Sequence, residues 1–163
     1  MSDIYPLREF EDVSLAIMPR PRAGDWLEDE IASWHRTDIR TVVSLLEPYE
    51  VDELGLKDEA RLCASNGIEF VSFPIPDRGV PTSYGALNQL VLPLVPKVKG
   101  GQMVVVHCRA GIGRSAVVAA GILLRTGIPF SQVFPALSRA RGVAVPDTDA
   151  QAEWVQAYAR SAL

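Results

Sequence analysis

The chain has 163 residues, of which 48% are hydrophobic and 22% are charged, as in an ordinary globular domain. Its net charge of −4 argues against a broad nucleic-acid-binding surface, which needs a basic excess. No apolar run approaches the roughly 20 residues that span a bilayer, and the polar residues 2–11 do not resemble a signal peptide. We therefore expect one cytoplasmic domain over residues 1–163, assumed monomeric, with no membrane or nucleic-acid partner.

The first half of the chain alternates between strand-like and helix-like segments. β-rich runs cover residues 13–18, 41–46 and 68–75. Helical spacing covers residues 24–39 and 52–66, and the second of these ends at an Asn-Gly pair. Within the first helix, Trp26, Ile31 and Trp34 are expected to pack together against the sheet.

The second half continues the alternation. Residues 83–98 are predicted to be helical, with an end or a kink at Pro93 or Pro96. The next segments are predicted to be a strand over residues 102–108 and helices over residues 114–126 and 131–141. Thr148 is a candidate cap for a last helix that runs to residue 162. The pattern predicts a single α/β domain with a central, mostly parallel sheet of about four to five strands and helices on both faces.

Functional sites in such folds gather at the carboxyl ends of the strands. One polar loop there is His-Cys-Arg-Ala-Gly-Ile-Gly-Arg-Ser, residues 107–115. Its glycines allow successive N–H groups to turn toward a common centre, and the following helix adds unpaired donors. The loop is therefore predicted to cradle a phosphate-like oxyanion through Arg109, Ala110, Gly111, Ile112, Gly113 and the planar fork of Arg114.

The same donors favour the thiolate form of Cys108. A thiolate beneath a bound phosphate can attack phosphorus in line and form a phosphocysteine. Ser115 is predicted to donate a hydrogen bond to the sulfur, which makes it a better leaving group in a second step. His107 is expected to orient the loop through a backbone hydrogen bond. The segment is not a nucleotide-binding P-loop, because it lacks G-x-x-x-x-G-K-[ST].

Metal chemistry is not expected. The candidate soft ligands have neither C-x-x-C nor H-x-x-x-H spacing; they are His35, Cys63, His107 and Cys108. We therefore predict no metal and no cofactor. Cys63 lies in a helical segment and is expected in the core, and the sequence leaves open whether it can form a protective disulfide with Cys108.

The stretch "HCRAGIGRS" matches H-C-x5-R-[ST], and the chain thereby resembles the cysteine-dependent protein tyrosine phosphatases, in particular the small atypical dual-specificity branch. The resemblance implies a metal-independent phosphatase acting on phosphorylated proteins, at tyrosine and also at serine or threonine. Two alternatives remain open. One is a phosphoinositide or RNA 5′-phosphatase with the same mechanism. The other is a non-catalytic phosphate-binding module.

The resemblance also implies an aspartic acid on the loop after the preceding strand. Asp77 in "PIPDRGVP" fits, and would protonate the leaving oxygen and later activate water. Gln151 is the candidate for placing that water, with a solvated helix residue as the alternative. Arg78 either contacts substrate or is an exposed loop charge. Arg139 and Arg141 either raise the local positive potential or complement a helix C-terminus.

Overall fold

A five-stranded sheet forms the centre of the protein, and the computed structural model describes residues 2–162. Its strands are β1 (Tyr5–Pro6), β2 (Leu15–Met18), β3 (Ile39–Ser44), β4 (Glu69–Ser72) and β5 (Met103–His107). They lie in the order β1-β2-β5-β3-β4, and every pair is parallel except β1 with β2. The predicted mostly parallel sheet is confirmed. Strand β1 was not predicted, because two residues ending at a proline carry no strand periodicity.

Eight α helices connect and cover the strands of the described chain. They are α1 (Leu27–Arg36), α2 (Pro48–Glu53), α3 (Glu59–Ser65), α4 (Tyr84–Val91), α5 (Val95–Lys99), α6 (Arg114–Arg125), α7 (Phe130–Arg141) and α8 (Asp149–Ala162). The single helix predicted over residues 52–66 was wrong. It is two short helices, because Pro48 starts the first at a position that needs no N–H, and Gly55 then takes a left-handed φ of 69°.

Alternate residues of β5 pack into two separate hydrophobic cores, one on each face of the sheet. Val104 and Val106 pack with helices α4 to α8, whereas Val105 packs with α1 and α3 on the opposite face. The helices therefore cover both faces of the sheet, as predicted. Helix α6 is the most enclosed element, because its residues 114–124 are all buried.

Trp26 differs from the prediction that it packs with Ile31 and Trp34. Only the latter two are buried, and Trp26 is 58% exposed. It lies in a 3-10 turn that precedes α1, where the guanidinium of Arg22 stacks 4.8 Å from its ring centroid. The helix predicted over residues 24–39 therefore began three residues too early and ended three residues too late, since α1 is Leu27–Arg36 and Ile39 belongs to β3. Across residues 2–162, no helix combines the length and the apolar character that crossing a membrane requires.

Candidate active site

Cys108 lies directly after β5, at the base of the loop that leads into α6. Its side chain is almost fully enclosed, with 2% of the residue exposed. The Gly111 N–H donates to its sulfur at 3.3 Å, and Ser115 Oγ lies 3.4 Å from the same atom. Both contacts come from residues of the predicted loop and the first turn of α6. The sulfur is therefore held between a backbone N–H of the loop and the first turn of α6.

Arg114, the first residue of α6, forms a bidentate ion pair with Glu50. Its Nη1 and Nη2 donate to the two carboxylate oxygens at 2.7 and 2.9 Å. Nη1 also donates to the Ile75 carbonyl at 2.9 Å, and Nη2 lies 3.3 Å from Asp77 Oδ1. Burial alone lowers the pKa of Arg114, but the hydrogen bond to Glu50 and the nearby anionic groups outweigh burial and raise it. The guanidinium is therefore a fixed cation at the side of the cleft.

Glu50 is a site residue that sequence reasoning missed. Burial raises the pKa of its carboxyl, but Arg114 and the Glu47 N–H outweigh that effect and hold the pKa below its usual range. The Glu47 N–H donates to Glu50 Oε1 at 3.1 Å, across the first turn of α2. One local feature of the sequence could have pointed to Glu50. Pro48 followed two positions later by a glutamate is typical of the start of a helix.

Asp77 lies on the loop between β4 and α4, half exposed and facing Arg114. The next residue, Arg78, takes a φ of 61°, which is unusual outside glycine. Its guanidinium pairs with Asp147 at 3.7 Å. The Gly79 carbonyl accepts a hydrogen bond from Gln151 Nε2 at 3.0 Å. The Asp77 loop is thus tied to the start of α8 by two contacts.

Gln151 is fully buried, so the alternative of a solvated helix residue is wrong. Its Oε1 accepts the Thr148 N–H at 3.1 Å, and the Gln151 N–H donates back to Thr148 Oγ1 at 3.1 Å. A Cβ added at Gly113 would lie 3.2 Å from Gln151 Nε2. The side chain therefore packs between the phosphate-binding loop and the Asp77 loop.

The outer side of the loop is held by Arg141 of α7. Its Nη2 and Nε donate to the carbonyls of Ala110 and Gly111, each at 3.2 Å, and its guanidinium stacks 4.2 Å from the ring of Tyr5. Arg139 instead pairs with Glu9 at the surface. Of these two arginines, only Arg141 contacts the loop.

Arg109 points toward α2. Its Nη2 lies 3.4 Å from Glu53 Oε2, and its Nε lies 3.8 Å from Glu50 Oε2. The positive charge that Arg109 adds to the loop is therefore largely matched by neighbouring carboxylates.

His107, the last residue of β5, is fully buried. Its Nδ1 lies 3.2 Å from the Cys108 carbonyl oxygen, and its Nε2 lies 2.7 Å from Glu59 Oε2. Glu59 is the second site residue that the sequence did not indicate.

The two cysteines lie in the two different cores, Cys63 on the α1–α3 face of the sheet and Cys108 on the other. Both are free thiols. Burial raises the pKa of Cys63 to about 12, and the nearby Glu59 charge adds to the shift. Cys63 is therefore a core residue in its neutral form at physiological pH.

A cleft of about 210 Å³ brings the predicted residues together; it is lined by Asp77, Arg78, Cys108, Arg109, Ala110, Ile112, Gly113, Arg114, Asp147 and Gln151. Among the residues that the structure describes, no group of three or more histidine, cysteine, aspartate or glutamate side chains could hold a metal ion.

Gly111 gives a direct test of how tightly the loop is built. It has a φ of 73°, and an added Cβ would lie 2.6 Å from the Met18 carbonyl carbon and the Pro19 nitrogen. We expect Gly111→Ala to lower both the melting temperature and kcat, because the loop must move away from the end of β2. Gly127→Ala is the matched control, since its φ is 99° but its Cβ meets nothing within 4 Å. Equal losses of kcat in the two variants would contradict the packing argument.

The sheet, the buried cysteine at the end of β5 and the arginine that opens α6 are the architecture of a cysteine-dependent phosphatase. The family model described as "Polymorphic toxin system, DSP-PTPase phosphatase" matches residues 16–128, and the chain belongs to this family.

Known proteins agree with that assignment. "Putative tyrosine phosphatase 197R" of Invertebrate iridescent virus 6 is 31% identical over 114 residues, which are 64% of this chain and 42% of the viral protein. The chain thus spans less than half the length of this relative. The crystal structure of Tk-PTP in its active form is 28% identical, with a TM-score of 0.76 over 93% of this chain and 95% of that one. Kinase associated phosphatase is 19% identical, with a TM-score of 0.83 over 100% and 97%, and shows the shared fold.

Proposed function

We propose that this protein hydrolyses phosphate monoesters on phosphorylated proteins through a phosphocysteine formed on Cys108. The observation that carries the proposal is the convergence of Cys108, Arg114 and Asp77 on one cleft, although Asp77 comes from a different loop from the other two. A thiolate, a fixed cation and a carboxyl group at one site are the groups that phosphoryl transfer to sulfur requires.

In the first step the Cys108 thiolate attacks phosphorus, and a sulfur–phosphorus bond forms as the ester phosphorus–oxygen bond breaks. The electron pair of the broken bond goes to the leaving oxygen, which takes the proton of Asp77. The N–H groups of residues 109–114 and the Arg114 guanidinium bind the other phosphate oxygens. Because Glu50 and the Ile75 carbonyl fix the guanidinium in advance, little reorganisation is needed during the reaction.

In the second step water attacks the phosphocysteine, and Asp77, now a carboxylate, accepts its proton. The sulfur leaves with its electron pair, and Ser115 Oγ, 3.4 Å away, donates a hydrogen bond to it. Gln151 is assigned to positioning the water. One of its two amide hydrogens is committed to the Gly79 carbonyl, which leaves the second for a water, and Gln151 lines the cleft.

Phosphoproteins carrying phosphotyrosine, and also phosphoserine or phosphothreonine, are the proposed substrates. A polyanionic inositol lipid or an RNA end would be favoured by unpaired basic residues in the loop. Arg109 is the basic residue that the loop adds, and it faces Glu53 and Glu50. This pairing, with the net charge of −4, favours a protein substrate over a nucleic acid or an anionic membrane surface.

The proposed reaction also requires that Cys108 stay reduced. A thiol that must act as a thiolate persists in a reducing compartment, and we therefore propose a cytoplasmic location. We assume a monomer, and the proposed mechanism uses no metal or cofactor.

Asp77→Asn tests the acid role. We expect kcat to fall by about 10²-fold for a phosphate ester with a poor leaving group, such as phosphoserine in a peptide, and much less for an aryl phosphate whose oxygen leaves without protonation. The measurement is kcat against the acidity of the leaving group, in the presence of a metal chelator. Asp147→Asn is the matched control, because it removes a second carboxylate of the same cleft. A uniform fall for all esters, or a requirement for a divalent metal, would overturn the assignment.

The same Asp77 variant is expected to keep its affinity for phosphorylated proteins, because the loop and Arg114 are untouched. Phosphoproteins retained by the variant, and released by free phosphate, would identify the substrate class. Retention of inositol lipids or of 5′-phosphorylated RNA instead would favour the alternative substrates.

A further inference from the structure

A buried ion pair lies beside the active-site loop and outside the cleft. Glu59 of α3 and His107 of β5 meet at 2.7 Å, and their side chains are 2% and 0% exposed. Neither residue lines the cleft, and the mechanism above assigns no step to Glu59. A carboxylate this deep is costly unless a charged partner compensates it. The pair therefore calls for an explanation of its own.

The hydrogen bonds of His107 determine its protonation. The partner of Nε2 is a carboxylate oxygen, and the partner of Nδ1, at 3.2 Å, is the Cys108 carbonyl oxygen. With Glu59 ionised, both partners accept hydrogen bonds, and both ring nitrogens then donate. A neutral imidazole has only one N–H and would leave one of these contacts unmade. The geometry is thus that of a protonated imidazolium, whose charge lies one residue from the nucleophile.

The surrounding charges agree with this geometry. Burial alone lowers the pKa of His107, but the charge and hydrogen bond of Glu59 and the neighbouring Cys108 outweigh burial and raise it. The residues paired with His107 on β2 and β3 are Met18 and Ser44, which carry no charge. The Glu59 charge also raises the pKa of Cys63, but that thiol adds no charge near the ring, because its pKa is about 12 and it is neutral. Among the described residues, Glu59 is therefore the acidic side chain that hydrogen-bonds to the ring.

We propose that Glu59 is a positioning residue that keeps His107 protonated, so that the imidazolium favours the thiolate of Cys108 and fixes the backbone at the start of the loop. The proposal rests on Cys108 being the nucleophile of the proposed function. A cation beside a thiol stabilises its ionised form. Glu59 would thus act on Cys108 indirectly, by keeping the His107 ring protonated, and not through a direct contact.

A purely structural role for the pair, which would fasten α3 to the sheet, is the competing explanation. It predicts that losing Glu59 lowers stability without changing how readily Cys108 ionises. The two explanations are separated by the pH dependence of Cys108 reactivity, measured without any turnover.

The experiment is alkylation of Cys108 by iodoacetamide as a function of pH, followed by peptide mass mapping. Glu59→Gln keeps the size of the side chain and removes its charge. We expect the midpoint of the rate curve to rise by about one pH unit, and alkylation below that midpoint to become about tenfold slower. Glu30→Gln is the matched control. Glu30 of α1 is equally buried, but its carboxylate accepts hydrogen bonds from the backbone N–H groups of Ser2 and Arg22 and not from His107. An unchanged midpoint in a folded Glu59→Gln variant would overturn the proposal.

A second measurement needs no variant. The chain has two histidines, His107 and the exposed His35, so their ring nitrogen resonances are readily distinguished by NMR. We expect both ring nitrogens of His107 to carry hydrogens at pH 7. A neutral His107 at pH 7 would refute the proposal. Neither measurement uses catalysis, so failure of the phosphatase assignment would appear separately, as unchanged turnover in Cys108→Ser.

Discussion

Replacing Cys108 with serine is expected to abolish turnover, with a fall in kcat of at least about 10⁴-fold. The exchange alters one atom at a residue that is 2% exposed, so the surrounding loop has no reason to move. A serine hydroxyl stays protonated at neutral pH, and an alkoxide would leave poorly in the second step. The Gly111 N–H and Arg114 remain in place, so a phosphotyrosine peptide should still bind.

The measurements are kcat on an aryl phosphate and peptide affinity by calorimetry. Cys63→Ser is the matched control, because it makes the same exchange at a buried thiol on the opposite face of the sheet. It is expected to cost about 1 kcal/mol of stability, since it buries a hydroxyl, and to leave kcat unchanged. Full activity in Cys108→Ser would exclude the phosphocysteine mechanism.

Arg114→Lys is the change with the second largest expected effect. Lysine keeps the positive charge but loses the planar fork that meets both oxygens of Glu50. We expect kcat to fall by about 10³-fold, since an ammonium cannot pair with Glu50 and two phosphate oxygens at once. The free energy of unfolding should fall by about 2 kcal/mol, because part of the buried Glu50 charge loses its partner.

Arg125→Lys is the control that separates the loss of activity from the loss of stability. Arg125 ends the same helix and donates to Asn88 at 2.7 Å and to Tyr158 at 3.3 Å, away from the cleft. Its replacement is expected to reduce stability while kcat is retained. The measurements are chemical unfolding and steady-state kinetics on both variants. If the two variants lost activity equally, Arg114 would be acting through stability alone.

The fold was largely predictable because its elements have strong local signals. The strands around Val42, Val71 and Val105 are short β-branched runs between turn residues, and helix α6 begins at an arginine and stops before Gly127. Elements without such signals were missed or misplaced. Strand β1 is held by two residues, and the division between α2 and α3 depends on the backbone conformation of Gly55.

The residues of the site also divide into those that the sequence predicted and those that it did not. Cys108, Gly111 and Arg114 fall within one loop, so their spacing predicted their proximity. Glu50 and Glu59 lie far from that loop in sequence, and their contacts exist only because α2 and α3 pack beside β5. Exposed and buried glutamates look the same in a sequence, and only the tertiary fold decides which ones meet a buried cation. For the same reason, the sequence did not show that Gln151 is buried or that Trp26 is exposed.

The most direct test of the central claim is to capture the covalent intermediate. Wild-type protein is mixed with an aryl phosphate, quenched in acid within the first turnover and mapped by mass spectrometry. We predict a phosphoryl group on the sulfur of Cys108, and no such adduct on Cys63 or in the Cys108→Ser variant. A phosphoryl group on any other residue, or complete hydrolysis by direct attack of water with inversion at phosphorus, would contradict the mechanism.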